Sequence, residues 1–305
     1  MGLAVAVCAA LGWFPGPLGN PGIGPFLWEK LAIPVGLIVP VGAIFLALLI
    51  TDRVYREGRY TGREAAIIAT GFSTVSATFM LIVASTLELM DRWTLYFIVT
   101  LVVTFAVTAI TVRIPPLGTI PDEPHEDAEH DPEPEARGNR LRHAWDEAMR
   151  ALHTAPSLPR GTWATFRDGV LMSSAIVPSI LSVGLAGLLL ATYTPVFDVI
   201  GWLFVPFAWL VQLPDPALAG KAVSVGIAEM FLPATVVASH PSEVLRFTVG
   251  VVAVSQIIFF SALVPSILAT SIPVSVWRLV VLWIERVILT ILITAPLAHL
   301  LLLVV

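Results

Sequence analysis

The sequence predicts an all-α, polytopic integral membrane protein with about eight spans, some of them broken, and three observations carry that expectation. The chain has 305 residues, of which 57% are hydrophobic and only 13% charged, with a mean hydropathy of +0.87. That is more apolar surface than a soluble core of this size consumes. The 39 charges are also clustered, since 25 of them fall in residues 51–64 and 113–168. Finally, most apolar stretches between those segments run to about 20 residues, the length that crosses a bilayer at about 1.5 Å per residue. Together these exclude a soluble enzyme, a disordered tail and a nucleic-acid binder. The single cysteine, Cys8, excludes a disulfide framework and a cysteine metal site.

Residues 1–30 read as an N-terminal interfacial and connector segment. The apolar run 2–14 is too short to span and lacks the basic start of a signal peptide, and 15–25 is rich in Pro and Gly. A first membrane half, 31–113, holds predicted spans at 31–51, 65–87 and 94–113. A second half, 169–305, holds 170–193, 197–212, 219–238, 245–263 and 287–305.

Between the halves lies a loop, 114–168. Its stretch 121–136 has eight acids and four prolines, a composition that buries no core and predicts a disordered linker. His125 and His130 within it are five apart, the wrong interval for a helical zinc pair, so no metal site is expected. Residues 140–153 place Leu141, Trp145, Ala148, Met149 and Leu152 on one face, as in a helix lying on an anionic membrane surface. A partner-docking helix is the alternative there. If the Arg53–Arg63 loop is cytoplasmic, alternation puts 14 of the 17 Lys and Arg on that side, including Lys221, Arg278 and Arg286, as the positive-inside rule requires. The 113–168 loop is then cytoplasmic as well. Trp93, Tyr96, Trp202, Trp277 and Trp283 fall near predicted span ends and read as interfacial anchors.

The residue that stands out chemically is Glu229, near the middle of the 219–238 span. A carboxylate there costs about 2.5 to 3.5 kcal/mol on insertion scales, so it calls for a partner, a water-filled cavity or a proton. Gly226 and Pro233 bracket it. Because proline lacks an N–H, Pro233 is expected to leave the carbonyl of Glu229 without its helical partner. A broken helix with a carboxylate at mid-membrane is how many transporters build solute and cation sites.

A second stripe, Thr70, Ser73, Thr74, Ala77 and Thr78, carries small and hydroxyl side chains on one helix face, with Phe72 and Phe79 pointing away. It suits either a polar solute or close helix packing. Glu285 and Arg286 are intramembrane if the last span starts at Leu279 and interfacial if it starts at Val287. The interfacial placement needs no partner and is expected. Ser255, Gln256 and His299 read as satisfied structural groups. No phosphate-binding GxxxxGK[ST] motif occurs, and no nucleophile and base share a depth, so neither an enzyme nor a cofactor is expected.

The stretches 52–80, 181–198, 226–234 (Gly226-Ile-Ala-Glu-Met-Phe-Leu-Pro-Ala234), 259–262 (Phe259-Phe-Ser-Ala262) and 283–286 resemble the YjiH family of prokaryotic membrane proteins, which carry a nucleoside recognition or Gate domain. Similar domains occur in ferrous-iron transporters of the FeoB type, concentrative nucleoside transporters and spore maturation membrane proteins. The resemblance implies a Gate-like fold in a prokaryotic cytoplasmic membrane, with the Gly71 and Gly226 breaks as corresponding features of two related halves. One departure is that Leu49-Ile-Thr51 runs directly into Asp52, where the family pattern has a further stretch with its own Gly/Ser-rich break.

The expectation is therefore a secondary transporter or permease component for a nucleoside-like or other small polar solute. Its site would hold Glu229, Gly226 and Pro233 on one side and Gly71, Ser73, Thr74 and Thr78 on the other. Its partners would be the lipid bilayer, the solute and a coupling proton or sodium ion, with a homo-oligomer as a candidate assembly and no nucleic acid. A non-transporting scaffold or assembly factor, like the spore maturation proteins, is the alternative.

Overall fold

The computed structural model describes residues 50–71, 75–125 and 181–304, with single positions at 48, 163, 167 and 178. Most of the predicted 31–51 span, the linker beyond residue 125, the 140–153 helix, Ser73 and Thr74 lie outside the described residues. Every regular element among the described residues is helical. In chain order they are α1 (Gly62–Gly71), α2 (Ala77–Thr86), α3 (Trp93–Thr111), α4 (Val196–Gly201), α5 (Val205–Leu210), α6 (Pro216–Val225), α7 (Leu232–Val237), α8 (Glu243–Ser255), α9 (Leu263–Leu268) and α10 (Val276–Val304). A further apolar helical stretch covers Leu181–Tyr193.

Among the described residues two helices are long and apolar enough to cross a membrane, Met90–Thr111 and Val276–Leu302. The first contains α3, whose inner face is Tyr96, Val99, Thr100, Val103, Thr104, Val107, Thr108 and Thr111, spaced three or four apart. Its outer face exposes Ile98, Val102 and Phe105. Hydroxyls inside and hydrocarbon outside reverse the polarity of a helix that faces water. Two of the buried hydroxyls are satisfied within the helix, Thr100 Oγ1 donating to Tyr96 O and Thr104 Oγ1 to Thr100 O, both at 2.7 Å. Tyr96 is buried rather than interfacial, its hydroxyl donating to Gly250 O at 2.9 Å. Trp283 is likewise in the core, edge-on to Phe204.

Polar contacts fix the two ends of the molecule. At one end the Asp52 carboxylate accepts from Ser271 N at 2.7 Å and pairs with Arg56, Gly62 N donates to Glu123 O at 2.8 Å, and Arg63 reaches Val112 O at 3.3 Å. At the other, Arg92 pairs with Glu243 at 3.4 Å and Arg246 with Glu88 at 3.2 Å, tying the α2–α3 turn to the start of α8.

These anchors show how the remaining elements run, and they correct the eight-span reading. The predicted span 65–87 holds two helices, α1 and α2, and the predicted span 245–263 holds α8 and the irregular stretch 256–262 that leads into α9. The predicted span 219–238 begins and finishes at the same end of the molecule. His299 lies 23 residues along α10 from Val276, roughly 35 Å at helical rise, and its Nε2 meets Gln212 O at 3.2 Å. Gln212, and with it the start of α6, is therefore at the Arg92 end. Only residues 238–242 separate α7 from α8, so α7 finishes at that end too. Helices α6 and α7 pack against each other as a re-entrant hairpin whose tip, 226–231, lies between the two ends.

The described part of the predicted span 170–193 continues into 197–212 along the same hairpin. Gly184 faces Glu229, Gly187 faces Ala228, the Phe197 carbonyl accepts from Ser224 Oγ at 2.7 Å, and Gly201 packs on Gly220. From 184 to 212 the chain thus makes one antiparallel pass along 229–216, from the depth of the hairpin tip to the Arg92 end. Gly220 is required for that pass, because a Cβ there would lie 2.5 Å from the Gly201 carbonyl oxygen. Lys221, which pairs with Asp198 at 3.0 Å, consequently sits in the re-entrant hairpin and leaves the set of basic residues gathered at the Asp52 end. Hydropathy over a window of about 20 residues registers a half-span that turns back as readily as one that crosses.

Candidate functional site

The tip of the α6–α7 hairpin and the interruption between α8 and α9 meet at one depth. Helix α6 stops at Val225 and the chain stays irregular until α7 begins with Leu232 and Pro233 in its first turn, where a missing N–H costs nothing. Helix α8 stops at Ser255, and Ile257 follows with a φ of 63°, a left-handed conformation unusual for a β-branched residue. Breaks of this kind strand backbone donors and acceptors where no water reaches them. Here they pair with each other. Phe260 N donates to Ile227 O at 2.7 Å and Ser261 N to Ala228 O at 3.0 Å.

Gly226 lets the two breaks approach. A Cβ on it would lie 2.5 Å from Gln256 Nε2 and 2.8 Å from its Cδ, so the buried amide of Gln256 occupies the space a side chain would take. Gln256 Oε1 accepts from Trp283 Nε1 at 3.1 Å, whereas Nε2 has no partner among the described residues. Ser261 Oγ, in the same break, is also buried and unpartnered among the described residues. The junction therefore holds unspent hydrogen-bonding groups beside Glu229.

Glu229 itself is half-buried at the hairpin tip, where its carboxylate accepts from Phe231 N at 2.7 Å. Gly184 covers it, since a Cβ there would be 3.6 Å from Glu229 Cγ. Gly187 presses closer still, a Cβ on it falling 2.7 Å from the Ala228 side chain. The expectation that Pro233 frees the Glu229 carbonyl is wrong: Leu232 N donates to it at 3.3 Å. The chain tightens by one residue before the proline, replacing the lost i+4 donor with an i+3 one.

On the other side, Gly71 ends α1, and α2 starts after Ser76, whose hydroxyl accepts from Phe79 N at 3.4 Å. Gly71 lies against Thr108, a Cβ on it falling 2.9 Å from Thr108 Cγ2. Thr78 is exposed. Val75 and Ser76 are not helical, so Thr70 and Thr78 do not share the one continuous helix face expected from the sequence; Phe79 contacts the hairpin tip, its ring meeting Phe231 edge-on at 6.5 Å.

Two groups escaped the sequence reading. From sequence Gln256 reads as a lone satisfied polar residue and Arg286 as interfacial. In the structure α10 begins at Val276, so Arg286 lies ten residues inside it, and the residue is fully buried. Its Nε and Nη2 donate to Ser255 O at 2.9 and 2.8 Å, and its Nη1 to Thr108 Oγ1 at 3.1 Å. An arginine within an apolar run was the available signal, because such a charge is placed in a bundle interior only with partners.

No protein-family model matches the chain, and no solved structure matches it. The chain is similar to an uncharacterized protein of Alkalihalophilus pseudofirmus, 33% identical over 262 residues that make up 85% of this chain and 56% of the relative. This chain thus spans little more than half of that relative's length.

Proposed function

We propose that the chain is a multi-pass membrane protein of the Gate-domain type and acts as a secondary transporter or permease component for a nucleoside-like or other small polar solute. The observation that carries this reading is the pairing of a re-entrant hairpin tip with a broken helix, at a depth where a carboxylate gathers with two buried polar groups that have no partner among the described residues. Broken helices that expose backbone and an ionisable group between the two faces of a membrane are suited to binding a polar solute and releasing it to either side. Glu229 supplies the acceptor, and Gln256 Nε2 and Ser261 Oγ supply groups able to donate. Movement of the hairpin against α8–α9 changes which end of the molecule the junction opens to.

Uptake of labelled nucleosides and a panel of small polar solutes into vesicles reconstituted with the protein tests the reading. Wild type is expected to accumulate at least one of them, and Glu229→Gln, which keeps the shape but removes the charge, to lose most of that flux. Equal uptake by wild type and Glu229→Gln removes the carboxylate from the mechanism, and no uptake above empty vesicles for any solute removes the transport reading.

A further inference from the structure

Two helices that traverse the molecule in broken form end at the same place. Helix α1 arrives from the Asp52 end and stops at Gly71, and α8 arrives from the Arg92 end and stops at Ser255. The C-terminus of a helix carries about half a negative elementary charge on its last carbonyls, so the two together present about one. Arg286 meets both. Its guanidinium takes the Ser255 carbonyl through two N–H groups at 2.9 and 2.8 Å, and it reaches Thr108 Oγ1 at 3.1 Å, whose hydroxyl donates to Gly71 O at 3.3 Å. Ser255 Oγ is held in turn by Thr290 Oγ1 at 3.0 Å, one turn along α10.

The guanidinium is fully buried, and among the described residues no carboxylate pairs with it. Its counter-charge is the pair of helix ends. In broken-helix transporters, half-helix C-termini and unwound carbonyls are the groups that gather free monovalent cations.

We propose that Arg286 is a tethered cation: the position between the ends of α1 and α8 is a monovalent-cation site that the chain fills with its own side chain. No free sodium ion enters there while Arg286 is in place, and truncating the side chain opens the position to a small cation from solution. A planar guanidinium suits it better than a spherical ion, because two of its N–H groups converge on one carbonyl while a third is directed to Thr108.

Melting of the purified full chain in detergent tests this without any flux, so its failure is separable from failure of the transport reading. Arg286→Ala is expected to melt below wild type, and low-millimolar guanidinium chloride to recover at least half of the lost midpoint. Urea, the neutral analogue of the same shape, is expected to recover none, and wild type to stay unmoved by either. No recovery with guanidinium, or equal recovery with urea, overturns the proposal. Should Arg286→Ala not fold, Arg286→Lys and Arg286→Met decide the matter. A buried charge that merely fills space is commonly replaced by an apolar side chain at no loss, so a Met variant as stable as the Lys variant, or more so, overturns the proposal, and the reverse order supports it.

Discussion

The side-chain amide of Gln256 occupies the volume that a Cβ on Gly226 would claim, 2.5 Å from Nε2. Two chain breaks thirty residues apart are thereby locked face to face, with the amide oxygen held by Trp283 and the amide nitrogen left over.

Gly226→Ala is expected to destabilise the protein by about 1 to 3 kcal/mol, the range for forcing a methyl into a packed interior. Gln256→Ala in the same chain relieves the overlap. In a double-mutant cycle measured by denaturation, the double variant is expected to lose less than the sum of the singles. Additive losses would mean that the two residues do not oppose each other.

Thr108 both receives the Arg286 Nη1–H and donates to the Gly71 carbonyl. Thr108→Val keeps the shape while stranding a buried charged donor and a buried acceptor. A loss of about 1 to 3 kcal/mol is expected, larger than that for Thr104→Val, whose hydroxyl bonds only within its own helix. Comparable losses for the two variants would detach Thr108 from the arginine.

Tyr96 joins α3 to α8 through a single hydrogen bond to Gly250 O. Tyr96→Phe is expected to cost about 1 kcal/mol with no change in solute uptake. A cost near zero in the melt would show that the Gly250 carbonyl finds another donor.

The re-entrant hairpin makes a topological prediction. In a Cys8→Ser background, single cysteines at exposed Ala217 and Ser239 are expected to react with an impermeant thiol reagent from the same membrane side as Asp91→Cys. Glu57→Cys and Arg278→Cys are expected to react from the opposite side. If residue 217 reacts from the Glu57 side, α6 and α7 cross the membrane rather than turning back.

Helical class, the apolar character of α3 and α10, and the interruptions after Gly71 and Gly226 were legible in the sequence, because each is local. Composition sets the class, a run of apolar residues sets a long helix, and a glycine or proline sets where hydrogen bonding fails. Glu229 was legible for the same reason, as a charge in an apolar run. The interruption after Ser255 was not, since no glycine or proline lies between Gly250 and Pro265 and the left-handed turn falls on Ile257. What holds that break is the backbone of the hairpin tip, about thirty residues away in the chain, together with Arg286.

Tertiary structure decided the rest. Hydropathy measures removal from water and is blind to whether a segment then meets lipid or protein, or crosses or turns back, so the turned-back course of 216–237 and the antiparallel run of 184–212 along it came only from contacts. The sequence likewise showed that Arg286 is charged and surrounded by apolar residues. That its counter-charge is the carbonyl of Ser255, 31 residues back, and through Thr108 that of Gly71, is a matter of where two helices end in space. The electrostatics of a helix terminus belong to its position, and no residue type announces them.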